Sequence, residues 1–78
     1  MKNALSASEL RQLVQDEVDL IPEIIEDNAV VKVSEPHLHQ LDSEGRNWNI
    51  TVVQNGNGYI SDISSIIEKY RSLFVLKK

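Results

Sequence analysis

Two histidines lie close together in a short segment whose composition suits metal binding. His37 and His39 are separated by one residue, so in an extended strand both imidazoles project to the same side, about 7 Å apart. Two imidazoles with a neighbouring carboxylate such as Asp42 form a ligand set that zinc or another divalent ion accepts. The spacing is short, and no other residues at metal-ligand spacing accompany it. We therefore treat metal or ligand binding at His37 and His39 as an alternative function.

The same histidines could act as general acid and base together with Glu35 or Asp42. Such chemistry needs a pocket that excludes water and shifts a pKa, and a chain of 78 residues has little room for one beside its core. The serines are explained as helix caps and helix surface, and no Gly-x-Ser-x-Gly motif is present. We predict that the protein is not an enzyme and uses no cofactor.

A glycine-rich loop, Asn55-Gly56-Asn57-Gly58, precedes a predicted helix. Backbone N–H groups at a helix start can hold an anion. A Walker loop would need Gly-Lys-Ser/Thr, and a dinucleotide fingerprint would need a third glycine where Ser61 stands. The loop is therefore predicted to be a connection and not a nucleotide site.

Three residues near the predicted hairpin are of the types that anchor protein interfaces: Arg46, Trp48 and Tyr59. Trp48 lies on the apolar side of an alternating pattern, so its side chain could instead be buried in the protein core. Arg46 and Tyr59 flank the strand and are expected at the surface. Together they define a predicted partner-binding rim.

The N-terminal helix has a clear start. Ser6 and Glu9 fit a capping box, and apolar residues then recur at helical spacing. Pro22 lacks an N–H and clashes with the preceding turn. The pattern predicts a helix over 7–20 and a further helical turn over 22–26.

The middle of the chain alternates apolar and polar residues with period two, which predicts strands. The pattern is found in three segments: 29–34, 37–41 and 48–53. Gly45 lies among residues typical of a turn between the second and the third segment. Pro36 places its strand at an edge or a bulge. We predict one antiparallel hairpin with a single buried face: Val31, Val33, Trp48, Ile50 and Val52. Val30 and Val53 would point to the opposite face.

A second helical stripe begins at Ile60 and reaches Phe74, after which residues 74–76 either widen the apolar surface or run extended. The predicted fold is one α+β domain over residues 1–78, with the order α-β-β-α and an antiparallel β-hairpin packed on two helices. In this arrangement the hairpin edges are open, and open edges invite pairing with a second copy. We therefore predict a homodimer with a continuous four-stranded sheet.

Composition and charge exclude several classes of function. The chain has no cysteine, which excludes disulfides and thiolate metal sites. The net charge is −4, and an acidic chain repels phosphate backbones, so nucleic-acid binding is disfavoured. The charge is uneven: residues 1–44 carry ten acids against three bases, whereas residues 45–78 carry five bases against two acids. The basic C-terminal residues keep a nucleic-acid regulator as the weakest alternative.

No segment has the pattern of a signal peptide or of a membrane span. The sequence is therefore interpreted as a small, soluble, cytoplasmic protein without a membrane partner. Its predicted function is non-enzymatic protein interaction, through homodimerisation or docking of a partner.

Overall fold

The computed structural model describes residues 2–77, which form three helices and six short strands. The helices are α1 (Ala7–Val18), α2 (Pro22–Asp27) and α3 (Ile60–Leu73). The strands are β1 (Asn3–Leu5), β2 (Lys32–Val33), β3 (His37–Leu38), β4 (Trp48–Asn49), β5 (Val53–Gln54) and β6 (Phe74–Leu76). The chain is thus a small mixed α+β domain. The four-element order predicted from the sequence omits the terminal strands β1 and β6.

The start of α1 follows from its sequence. The Glu9 N–H donates to the Ser6 hydroxyl at 3.2 Å, and the Ser6 N–H donates to the Glu9 carboxylate at 2.9 Å, which completes the capping box. The hydrogen bond from the Ser6 backbone lowers the pKa of Glu9. Pro22 opens α2 at a position that needs no N–H donor. Asn28 then ends α2 in the left-handed conformation, with φ 53°.

Strands β1 and β6 bring the two ends of the described chain together as a parallel pair. Ala4 lies opposite Val75, and the Lys77 N–H extends the ladder by donating to the Leu5 carbonyl at 2.8 Å. Asn47 and Trp48 hold the other edge of β6 with their side chains. The sequence was compatible with either a helical or an extended conformation for residues 74–76, and the structure shows that they are extended.

The Asn47 carboxamide accepts the Leu76 N–H at 2.8 Å and donates to the Leu76 carbonyl at 3.0 Å. The indole N–H of Trp48 donates to the Phe74 carbonyl at 3.0 Å. Two side chains beside β4 therefore take the place that a third strand would have next to β6.

The four middle strands form two antiparallel ladders with a break between them. In the first ladder Val33 lies opposite Val53, and in the second Leu38 lies opposite Trp48. The break contains Pro36, whose missing N–H cannot join a ladder. The segments therefore pair as predicted across the turn, but in two short pieces.

The side-chain alternation shifts by one residue across this break. The Ser34 N–H donates to the Val52 carbonyl, and the His39 N–H donates to the Asn47 carbonyl. In an unbroken ladder, hydrogen-bonded pairs recur at every second residue. Positions 34 and 39 are an odd number of residues apart, so both can form such bonds only if the alternation shifts by one residue between them. The prediction that Val52 shares the buried face is wrong for this reason. Its side chain is 65% exposed, and Val53 packs against the core instead.

The core lies between α1, α3 and the strands, with Trp48 fully buried in it. Its other buried apolar members are Leu10, Val14, Val18, Ile21, Ile24, Val31, Val33, Ile50, Ile63, Ile67 and Leu76. On the surface above it, the Glu17 carboxylate joins α1 to α3 by accepting hydrogen bonds from Lys69 and from the Tyr70 hydroxyl. The Lys69 bond is the main reason that the pKa of Glu17 is lowered. None of the helices in residues 2–77 is long and apolar enough to cross a bilayer.

Side chains of α1 cover the outer edge of β2. The Gln15 carboxamide donates to the Val31 carbonyl at 2.8 Å and accepts the Val33 N–H at 3.0 Å. The Arg11 side chain donates to the Val33 carbonyl at 3.0 Å. These bonds occupy the groups that a neighbouring strand would use. The expectation that both hairpin edges are open is therefore wrong on the β2 side.

The outer edge of β3 is different. Because His39 and Asn47 form a hydrogen-bonded pair, the backbone N–H and carbonyl of Leu38 point away from β4. Among the strands of residues 2–77, β3 has β4 as its one neighbour. The fold thus leaves a short strand edge at β3, limited on one side by Pro36.

Candidate functional site

A groove of about 880 Å³ lies beside the turn that joins β3 to β4. It is lined by parts of the N-terminal segment, of β3 and the residues after it, of the turn and of β6. The lining residues are Lys2, Leu38, His39, Gln40, Leu41, Gly45, Asn47 and Val75. The groove therefore depends on the strand pair β1–β6, which holds one wall in place.

The walls of this groove are largely aliphatic and exposed. Leu38 is 49% exposed and Leu41 is 64% exposed, and Val75 is half-buried. Adjacent exposed apolar side chains are typical of surfaces that bind a partner. Among the residues that the structure describes, the polar lining residues of the groove include Lys2 and no carboxylate, so the groove is apolar with a basic end.

The turn beside the groove is fixed by Asp42. Its carboxylate accepts the backbone N–H groups of Arg46 at 2.9 Å and of Glu44 at 3.0 Å. The hydrogen bond from the Arg46 backbone is the largest cause of the lowered pKa of Asp42. Gly45 supplies the left-handed position of the turn, with φ 80°. The proposed role of Asp42 as a third metal ligand would require these turn bonds to break.

Lys2 closes the groove from the N-terminal side. Its ammonium group donates to the carbonyls of Glu44, Gly45 and Arg71, at 3.2, 3.1 and 3.4 Å. These acceptors are neutral, so the positive charge of Lys2 is held in place without being compensated by them. A carboxylate from a partner would complement it.

Arg71 lies under the groove and connects its parts. The side chain is buried and donates to the Trp48 carbonyl at 2.7 Å and to the Glu68 carboxylate at 2.7 Å. It also lies 3.3 Å from Nε2 of His39, while Nδ1 of His39 lies 2.7 Å from the Gln40 carbonyl. Because arginine can only donate, His39 accepts at Nε2 and donates from Nδ1. Both ring nitrogens of His39 are therefore engaged.

Arg46, which the sequence placed on the partner-binding rim, lies in the same network. Its guanidinium donates to the Glu68 carboxylate at 2.6 Å and lies 3.5 Å from Glu44. Glu68 thus bridges two arginines, Arg46 and Arg71. The arrangement orients the Arg46 side chain along the rim of the turn.

The other two rim residues are placed differently. Trp48 is fully buried, so it supports the groove from inside the core and offers no surface to a partner. The Tyr59 hydroxyl donates to the Asp27 carboxylate at 2.5 Å, and this bond is the largest cause of the raised pKa of Tyr59. The structure therefore links Arg46 to the Trp48 carbonyl only through Glu68 and Arg71, whereas Tyr59 pairs with the end of α2.

His37 lies on the exposed strand β3 and is 3.4 Å from the Thr51 hydroxyl. Within residues 2–77, no three side chains of the His, Cys, Asp and Glu types are grouped closely enough to hold a metal ion. Metal binding at His37 and His39 stays a prediction, and it would require His39 to release the hydrogen bond from Arg71.

Sequence reasoning did not find the groove. Lys2 and Val75 are distant in sequence, and they line one groove because β1 pairs with β6. Leu41 is the last residue of the predicted strand 37–41, and its sequence context does not show that it is exposed. The one available signal was the uninterrupted apolar run 74–76 at the end of a helical stripe, which was open to an extended interpretation.

The chain matches no family model, no curated protein and no solved structure.

Proposed function

We propose that this protein is a non-enzymatic interaction domain that forms a homodimer through the outer edge of β3 and the adjoining groove. The observation that carries the proposal is that residues 38–41 supply both features. The Leu38 backbone faces away from β4, and the side chains of Leu38 and Leu41 line the apolar groove. Backbone pairing and apolar burial are then available on one short segment.

A two-fold axis suits this surface. Two β3 strands that pair antiparallel give a four-stranded sheet in the order β4-β3-β3-β4, and the same patch is used on both subunits. If Leu38 lies opposite its own copy, Glu35 lies opposite Leu41 of the second copy. Leu41 shares its groove with Lys2, so the carboxylate of Glu35 approaches the basic end of that groove. The charges at the two ends are thus complementary.

The expected dimer is weak. The two leucines of each copy are only half to two-thirds exposed, so burying each contributes about 1–2 kcal/mol. Four leucines and a few backbone hydrogen bonds give a total comparable to the roughly 4–15 kcal/mol that association costs. A reversible dimer that forms as the concentration rises is expected, and an obligate one is not.

The test is the solution mass, measured by sedimentation equilibrium over a wide concentration series. The wild-type chain should shift from monomer toward dimer, whereas Leu38→Asp and Leu41→Asp should remain monomeric. Leu20→Asp is the matched control, because Leu20 is 70% exposed and lies outside the groove. It should associate as the wild type does.

Circular dichroism should show that all of these variants stay folded. A wild-type chain that is monomeric at every concentration would overturn the proposal. Association that Leu38→Asp and Leu41→Asp leave unchanged would also overturn it, since it would place the interface elsewhere.

A further inference from the structure

The two Asn-Gly pairs of the loop before α3 have different surroundings. Asn55 has φ 61° and donates its carboxamide to the Val30 carbonyl at 3.1 Å. Gly56, which follows it, is buried, and a Cβ atom there would lie 2.7 Å from the Val53 side chain. Its carbonyl accepts the Tyr59 N–H at 2.9 Å. The first pair is therefore held on both its side chain and its backbone.

The second pair is open. Asn57 and Gly58 are both exposed, and in the part of the chain that the structure describes the Asn57 carboxamide makes no hydrogen bond. Gly58 has φ 96°, and apart from its two chain neighbours no heavy atom of residues 2–77 lies within 4 Å of the place where its Cβ would be. The bond from the Tyr59 N–H to the Gly56 carbonyl closes a turn around Asn57 and Gly58, and both residues of the pair are exposed on that turn.

An asparagine followed by glycine can react with its own backbone. The nitrogen of the glycine loses its proton and attacks Cγ of the asparagine, and the Cγ–Nδ2 bond breaks as ammonia leaves. The product is a five-membered succinimide, which water opens to an aspartyl or an isoaspartyl residue. One water is consumed and one ammonia is released, with no oxidant or reductant. Glycine favours this reaction because it has no side chain to shield its nitrogen and few backbone restrictions.

We propose that Asn57 is a site of spontaneous deamidation in the folded protein and that Asn55 is protected from it. Attack at Asn55 requires the loop to leave Val30 and Val53 first, which is a local opening with its own free-energy cost. Attack at Asn57 requires rotation within the exposed turn that the Tyr59 N–H closes, and it leaves the contacts with Val30 and Val53 in place.

The reaction adds one negative charge beside the start of α3. The N-cap residue Tyr59 makes no side-chain capping bond there, and a negative charge close to a helix N-terminus interacts favourably with the helix dipole. The isoaspartyl product instead adds a methylene to the loop backbone. The reaction thus slowly replaces the asparagine loop with loops that carry an additional negative charge and, in the isoaspartyl form, a longer backbone.

The test is to incubate the folded protein in mildly alkaline buffer at physiological temperature and to map the mass gain of one dalton by peptide sequencing in a mass spectrometer. Modification at position 57 should be faster than at position 55 by more than about tenfold, because the second site must open first. In concentrated urea the two rates should become similar. Asn57→Ser should remove the reaction of the folded chain, whereas Asn55→Ser should still be modified at Asn57.

Three results would overturn the proposal. These are equal rates at the two sites in the folded chain, a faster reaction at Asn55, or a mass gain that persists at the wild-type rate in Asn57→Ser. A folded chain that stays unmodified while the urea-treated chain reacts at both positions would also overturn it.

Discussion

Asn47 is expected to be one of the most sensitive positions in the molecule. Its carboxamide satisfies both the N–H and the carbonyl of Leu76, and Leu76 is buried with 7% exposure. Asn47→Ala removes both partners at once and leaves two buried backbone groups of β6 without a hydrogen bond. Because Val75 of β6 lines the groove, the same change loosens one groove wall.

The size of the effect follows from these two groups. A buried donor or acceptor left unsatisfied costs about 1–3 kcal/mol. Since β6 lies near the surface and can admit water, the lower half of that range applies, and the expected loss is about 2–4 kcal/mol in the free energy of unfolding. A chain of this length has a total of roughly 4–12 kcal/mol. Asn47→Ala should therefore remove a large fraction of the stability.

Asn47→Asp tests the two hydrogen bonds to Leu76 separately, because it keeps the acceptor and removes the donor. A carboxylate still accepts the Leu76 N–H, but its second oxygen faces the Leu76 carbonyl and repels it. At neutral pH we expect this variant to lose at least as much stability as Asn47→Ala. On acidification the protonated acid can donate to that carbonyl, so the difference from wild type should shrink.

The assay is urea unfolding followed by fluorescence. Trp48 is the only tryptophan and is fully buried, so its emission reports loss of the core. Asn57→Ala, at an exposed position, is the control and should stay within about 0.5 kcal/mol of wild type. If Asn47→Ala also stays within that margin, with an unchanged dependence on urea, Asn47 does not hold β6 as described.

Three further predictions concern α1, the α1–α3 contact and the histidines. Gln15→Ala leaves the Val31 carbonyl and the Val33 N–H without a partner, so it should lower the free energy of unfolding in urea by about 2–4 kcal/mol. Gln12→Ala, on the exposed side of the same helix, should change this free energy by less than about 0.5 kcal/mol. Equal effects of the two variants would show that Gln15 does not cover the edge of β2. The pKa of Glu17 is lowered in the folded protein. Its contribution to the free energy of unfolding is therefore complete above its unfolded pKa and is lost as the pH falls through its folded pKa. Glu17→Gln should make the free energy of unfolding depend less steeply on pH on the acid side, and an unchanged slope would refute this. Because both ring nitrogens of His39 are engaged, calorimetric titration with zinc should give the same heat for the wild type and for a His37→Ala/His39→Ala double variant. Binding heat confined to the wild type would contradict this expectation and support the metal hypothesis.

The helices could be predicted from the sequence because their signals are local. The capping box at Ser6 and the proline that opens α2 act within one turn, and both appear where the pattern placed them. The exception is the start of α3, where Tyr59 is the N-cap residue and makes no side-chain capping bond. A helix start without a side-chain cap leaves little trace in the sequence.

The parts that escaped prediction depend on contacts between distant residues. The pairing of β1 with β6 joins two three-residue segments at opposite ends of the chain, and such short segments show no periodicity. The exposure of Val52 follows from a shift at Pro36 on the other strand, which a single-strand pattern cannot show. Arginine side chains are mostly exposed, yet Arg71 is buried, and its side chain donates a hydrogen bond to the distant Trp48 carbonyl.

The candidate site was only partly accessible for the same reason. The sequence identified His39 and Arg46 as residues of interest, and both lie at or beside the groove. It could not identify Lys2 or Val75, because neither has a neighbour in sequence that marks a site. Tyr59 was grouped with Arg46 on the basis of residue type, and the structure pairs it with Asp27 instead.

The parallel direction of β1 and β6 also determines how the domain would respond to mechanical force. Residue 2 enters β1 at one end of the ladder, and residue 77 leaves β6 at the other end. A pull between these two points therefore slides the strands along each other and loads all the ladder bonds together, where an antiparallel pair would open one bond at a time. The bonds from Asn47 to Leu76 resist the same displacement from the other side of β6. Tension applied between residues 2 and 77 would therefore load the β1–β6 ladder in shear.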